Sequence, residues 1–263
     1  MRKLIQTGLS IALLMPAAAA AQSAFDGTWK VDIDNAQFPT RPYAYVLKDG
    51  TYKCSSCIPP IEVEADGKYH KVTGNPYYDS VSIKVISDRS ITESDKKSGK
   101  TVATTTTTIS ADGRTMKVEF SDNGNTSAQP MTGTAVATRI APGPAGSHAI
   151  SGSWKMSRME NVSEGASMIT FRVEGGNLDR SNPTGQSYTA KLDGSEAPFK
   201  GDPGQTSVSV RQIDKNTIEE TDKRDGKVIG VQRFEITPDG KTIHITVHDM
   251  LKNTTTTASA TKQ

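Results

Sequence analysis

ITESDKKSGKTV, residues 91–102, returns as IEETDKRDGKVI at residues 218–229. Self-similarity at a fixed shift identifies a duplicated structural unit and has to be read before any motif. The same 127-position shift carries Asp66-Gly67 onto Asp193-Gly194, Gly74 onto Gly201, Pro76 onto Pro203 and Asp122 onto Asp249. Towards the unit starts it drifts by two, so that GTWK at Gly27 matches GSWK at Gly152. Between the copies APGPAGSHAISG has the Pro/Gly/Ser composition of a connector. These features divide the chain into residues 1–22, a first repeat over 25–140, a linker over 141–149 and a second repeat over 150–263.

The unit reads as all β. TMKVEF from Thr115 puts Met116, Val118 and Phe120 on one face and Lys117 and Glu119 on the other. In the second copy Ile243, Ile245 and Val247 alternate with His244, Thr246 and His248. Val81, Ile83 and Val85, and Val208 and Val210, behave likewise; this is the period of a half-buried strand. Asp-Gly pairs at 49, 66, 112, 193, 225 and 239 mark hairpin turns, where glycine accepts positive φ. About eight short antiparallel strands per copy and no amphipathic helix predict a sequential meander. Closing it into a small barrel removes its exposed edges.

Residues 1–22 have the layout of an export signal: Arg2 and Lys3, an apolar stretch from Leu9 to Met15, and Ala19-Ala20-Ala21 before Gln22. No cysteine follows for a lipid anchor, and no later segment offers the ~20 apolar residues of a membrane-spanning helix. The expected compartment is the periplasm, with cleavage near Ala21/Gln22. The formal charge of +2 includes Arg2 and Lys3, so the mature chain is about neutral. That balance argues against nucleic acid and against anionic lipid as partners.

Cys54 and Cys57 are the only cysteines, in KCSSCIPP. Haem attachment needs His after the second cysteine, where Ile58 stands. A thioredoxin-type centre needs a helix N-terminus, but TYK before the pair reads as strand, and Pro59-Pro60 after it oppose helix. Structural zinc needs four ligands, and His70 is the one nearby imidazole. Ser181 and Thr184 stand at the shifted positions of the second copy. A local structural disulfide is the expectation in an oxidising compartment.

No catalytic constellation emerges: there is no Gly-x-Ser-x-Gly elbow, no Gly-rich phosphate loop opening a helix, and no metal set or cofactor motif. His244 and His248 lie about 13 Å apart along one strand, too far to share an ion. Asp95-Lys96-Lys97 and Asp222-Lys223-Arg224 precede hairpin turns and read as solvated. The runs Thr104–Thr108 and Thr254–Thr257 suit strand faces.

Each copy opens with Gly-x-Trp (Trp29, Trp154) and ends on a cation (Arg139, Lys262). This is similar to the lipocalin-type barrel, and it implies a tryptophan closing one barrel end beneath the terminal cation of its own repeat. The whole chain also resembles a group of uncharacterised exported proteobacterial proteins, through DGKVIGV and the AGSHAISGSW junction; the likeness lends no activity. The leading expectation is a non-enzymatic periplasmic binding protein. It would hold a small apolar ligand between the rows Val81/Ile83/Val85, Met116/Val118/Phe120, Val208/Val210 and Ile243/Ile245/Val247. The competing expectation is an interaction module with solid barrels and an envelope protein as partner. A third is thiol redox through Cys54/Cys57.

Overall fold

The computed structural model describes residues 23–124 and 129–263; the signal-like residues 1–22 and their cleavage point lie outside the described residues. The chain begins with β1 (Gly27–Val31), β2 (Tyr43–Lys48), β3 (Thr51–Cys54), β4 (Ile61–Glu64) and β5 (Asp66–Lys71). It continues through β6 (Ser80–Ser87), β7 (Ser90–Lys97), β8 (Lys100–Ile109), β9 (Thr115–Asp122) and β10 (Met131–Pro142). The second repeat contributes β11 (Gly152–Glu160), a short 3-10 helix (Glu164–Ser167), β12 (Met168–Glu174), β13 (Asn177–Ser181), β14 (Ser187–Lys191) and β15 (Asp193–Pro198). It ends with β16 (Ser207–Asp214), β17 (Thr217–Arg224), β18 (Lys227–Ile236), β19 (Thr242–Asp249) and β20 (Thr254–Lys262).

These strands form two antiparallel, nearly closed barrel-like sheets of ten strands each. The expected count was about eight. The additional strands are short ones that alternation does not mark, such as β3 and β4 on either side of the cysteine loop, with β5 following β4 after Ala65 alone.

Sheet membership does not follow the repeats. One sheet runs β4-β3-β2-β11-β10-β9-β8-β7-β6-β5 and the other β14-β13-β12-β1-β20-β19-β18-β17-β16-β15. The opening strands are therefore exchanged. β11 pairs with β10 and β2 of the first repeat, and β1 pairs with β12 and β20 of the second. The boundary at 141–149 separates the copies in sequence but not in space. That segment is no free linker: it is the β10–β11 hairpin loop, and its end seals the first barrel. Ile150 and Ser151 next to it are buried, His148 N–H donates to Leu47 O, and His148 Nε2 meets Ser87 O at 2.7 Å. The real crossovers are residues 32–42 and 161–167. The first is tied to β20 through Gln37 and Thr257, and the second to β10 through Ser163 and Thr132.

Both tryptophans are fully buried, Trp154 in the core of the first barrel and Trp29 in that of the second. Trp154 Nε1–H donates to Ile150 O at 2.9 Å and Trp29 Nε1–H to Phe25 O at 2.8 Å, which satisfies the indole inside an apolar end. The exchange also changes their covers. Arg139 lies over Trp154 and Lys262 over Trp29, not each over the tryptophan of its own repeat. The reason is that the last strand of each repeat is the hydrogen-bonded neighbour of the other repeat's first strand. The glycine of each Gly-x-Trp makes room for the cation. Gly27 and Gly152 sit at φ +126° and +134°, and a Cβ would come within 2.9 Å of Lys262 Cε or 2.7 Å of Arg139 Nη1.

The expected apolar rows form the two cores. Val81, Ile83, Val208, Val210 and Ile243 are fully buried, and Met116 and Ile245 nearly so. Val118 and Val247 pack against them, while Phe120 lies half-buried against Gly133. Val85 is 43% exposed, near the end of β6 where the register to β7 slips. Cys54 and Cys57 are joined as a disulfide, with Cys54 in the first core.

Candidate functional site

The inward face of β7 is apolar at the tryptophan end and acidic at the other. Ile91, Glu93 and Asp95 alternate along it, and Ile218, Glu220 and Asp222 repeat the order on β17. The residues read as solvated before a turn are therefore wrongly placed by that reading: Asp95 is 8% exposed and Asp222 is 6%. The correction concerns the two aspartates alone: Lys97 is exposed as expected, and Lys96, Lys223 and Arg224 are half-buried. A signal was present, since Ile-x-Glu-x-Asp at period two puts both carboxylates on the face of a core isoleucine.

Across the sheet the acidic ends form a rung. Asp95 stands opposite Val81 on β6 and Ala103 on β8, Ala103 stands opposite Asp122 on β9, and Asp122 stands opposite Met131 on β10. One rung inward, Glu93 faces Thr105, and Thr105 faces Phe120. The second barrel repeats the scheme with Asp222, Gly230 and Asp249, and with Glu220 and Gln232.

The barrels differ in what answers the carboxylates. In the second, Arg180 Nη1 donates to Glu220 Oε1 at 2.6 Å and Tyr188 O–H to Glu220 Oε2 at 2.6 Å. Gln205 Nε2 donates to Asp222 Oδ1 at 2.6 Å and Gln232 Nε2 to Asp222 Oδ2 at 2.8 Å. Every carboxylate oxygen has a donor, as burial of such groups requires.

At the matching places in the first barrel stand Cys54, Ile61, Tyr78 and Thr105. Cys54 pairs with Tyr45 and Ile61 as Arg180 pairs with Phe171 and Tyr188. Tyr78 and Thr105 precede Gln205 and Gln232 by the repeat shift. Among the described residues no guanidinium or amide replaces those donors at Asp95 Oδ1. Tyr52 hydrogen-bonds Glu93, but Oδ1 of Asp95 is buried with no hydrogen-bond partner. Burial, with Asp95 close by, pushes the Glu93 carboxyl far above the usual range; burial and Asp122 push Asp95 up. Burial and these carboxylates also raise Tyr78, and burial followed by Glu93 raises Tyr52.

Asp95 lines a cleft of about 540 Å3 between the acidic end of the first barrel and the second repeat. Tyr77, Tyr78, Val102, Ala103 and Met131 form its apolar side, and Asn182, Thr184, Gln186 and Asp202 its far side. Of the expected ligand-lining rows, none contributes to it. In the second barrel the gap around Arg180, Tyr188 and Phe199 has no room for a solvent molecule. Tyr77 spans the junction: it hydrogen-bonds Asp202, and a Cβ on Gly204 would lie 2.0 Å from its hydroxyl. Tyr77 and Gly204 are mates under the repeat shift, so equivalent loops meet each other, as across a two-fold.

The remaining candidates are peripheral. His244 is exposed, and His248 bonds Thr255 on β20. Among the described residues one cluster, Glu64, Asp66 and His70, has ligand atoms within 4.8 Å of one another. It lies on the surface, with Asp66 engaged by His70 and by Lys68 N–H. Among the described residues no helix is long and apolar enough to cross a membrane.

The fold and cleft define a class, a strand-exchanged tandem of two antiparallel β-barrels with one open acidic mouth. No protein-family model matches the chain, and no curated protein matches it.

Proposed function

We propose that the chain is a non-enzymatic, exported periplasmic protein that holds a small molecule at the mouth of its first barrel. One observation carries this reading: equivalent barrel ends have diverged, the second filled by its own Arg180, Tyr188, Gln205 and Gln232, the first left open onto about 540 Å3. That volume is in the range of small-molecule sites. Export is supported by the layout of residues 1–22 and by the cysteine pair, bonded as expected outside the cytoplasm. The site lies at the barrel mouth rather than within the apolar rows, because those rows are already packed against one another.

A ligand-observed NMR screen of small molecules of mixed charge tests this. Hits are expected with the mature chain and are expected to vanish in Ala103→Phe, whose ring would occupy the cleft beside Asp95. An absence of hits, or hits that Ala103→Phe retains, refutes the assignment.

A further inference from the structure

We propose that the ligand of this cleft carries an ammonium or similarly N–H-rich cationic end, which docks on Asp95 of the first barrel. The inference rests on the cleft being a binding site and adds the chemistry of its occupant. Asp95 and Asp222 are repeat mates, both buried on the inward face of a matching strand. At Asp222 two side-chain amides donate to the two carboxylate oxygens, with Arg180 bound to Glu220 one rung away. At Asp95 those donors have been replaced by Tyr78 and Thr105; the side chain lines the cleft, and its Oδ1 is buried without a partner. A buried carboxylate oxygen without a donor is costly, so the group that fills the cleft is one that donates to it.

Charge narrows the class. Among the described residues Asp95, Asp122 and Asp202 line the cleft against one lysine, Lys97, and the charged group that acts on Asp95 is Asp122, an anion. An anionic ligand would meet that field unfavourably. A bare metal ion is disfavoured by spacing: Glu93, Asp95 and Asp122 do not gather their oxygens within 4.8 Å, as the one such cluster among the described residues does. An organic cation needs no such convergence, since its N–H groups spread over separate acceptors. Tyr77, Tyr78 and Met131 then offer an apolar and aromatic wall to its body.

Three probes of one shape separate the contributions: 2-phenylethylamine, 2-phenylethanol and phenylacetate, titrated into the mature chain by NMR with the Tyr78 amide as reporter. The amine is expected to bind at least about tenfold more tightly than the alcohol, and phenylacetate more weakly still. Asp95→Asn should remove the preference of amine over alcohol. Thr105→Gln should supply the amide that Gln232 provides in the second barrel and lower amine affinity, with its melting temperature unchanged or raised. Alcohol or phenylacetate binding as tightly as the amine overturns the cationic assignment and leaves the cleft reading standing. So does a lack of binding by all three when the wider screen still yields hits that Ala103→Phe abolishes. If that screen is empty as well, both fall. Amine selectivity that survives Asp95→Asn also overturns the assignment.

Discussion

The guanidinium of Arg139 lies 4.0 Å from the ring of Trp154, while Lys262 covers Trp29 at 5.2 Å. Each repeat thus ends on the tryptophan that opens the other. Arg139 is also held by three carbonyls, those of Gly113, Ala149 and Ser151, so it fastens the β10–β11 loop over the first barrel's closed end. Lys262 offers a single ammonium at longer range, and a planar, weakly hydrated guanidinium stacks better on indole.

A double-mutant cycle should therefore couple Arg139 with Trp154 and not with Trp29. Trp154→Ala should cost ~3–5 kcal/mol and Arg139→Ala at least the ~0.5–2 kcal/mol of a cation–π contact, with the two non-additive. Denaturant melts of the two single variants and the double variant give the coupling. An Arg139 effect that couples to Trp29 instead would mean that the strands are not exchanged.

Exchange also sets which fragments are complete. Residues 43–160 contain all ten strands of the first barrel, with Arg139 and Trp154. They should give a β-type circular dichroism spectrum and a cooperative melt. Residues 161–263 lack β1, Phe25 and Trp29, and should melt cooperatively only when a peptide of residues 23–42 is added. Equal melting with and without the peptide would show β1 to be dispensable.

The acidic mouth makes stability depend on pH. The folded chain raises Glu93 to about 8 through burial and Asp95, and Asp95 to about 7 through burial and Asp122. Tyr45, Tyr52 and Tyr78 are the other titratable groups acting there. Folded-state values above the unfolded ones mean that the native state binds more protons between about pH 4 and 8. Stability from this pair is complete below about pH 4 and falls as pH rises through 7 to 8, by at most ~1.4 kcal/mol per unit for each group. In chemical melts from pH 5 to 8, Asp95→Asn should flatten that decline; an unchanged slope would remove the pair as its source.

Gly204 should not tolerate a side chain. A Cβ there would meet Tyr77 Oη at 2.0 Å and its Cζ at 2.4 Å, closer than any real contact. Gly204→Ala should displace Tyr77 from Asp202, lower the melting temperature and weaken ligand capture in the cleft. Tyr77→Ala in the same chain should relieve the clash, so that the double variant melts no lower than Tyr77→Ala alone. A double variant that melts markedly lower than that would place the defect elsewhere.

The duplication, the all-β character, the period-two faces and the cysteine pair were legible in the residues, because each is a local or near-neighbour property. Met116, Ile243 and Val208 alternate with polar residues whatever sheet they join, and a three-residue spacing lets Cys54 reach Cys57 in almost any loop. Strand exchange was not legible. Gly27–Val31 and Gly152–Glu160 present equivalent edges, and only the path of residues 32–42 and 161–167 decides which barrel receives which. Nor was the divergence of the mouths. Glu93 and Glu220 share one sequence environment, whereas Arg180 and Tyr188 reach Glu220, and Tyr52 reaches Glu93, from strands 32 or more positions away. Alternation tells which face a side chain takes, but what it meets there depends on which strands close the barrel, and that is settled by tertiary packing.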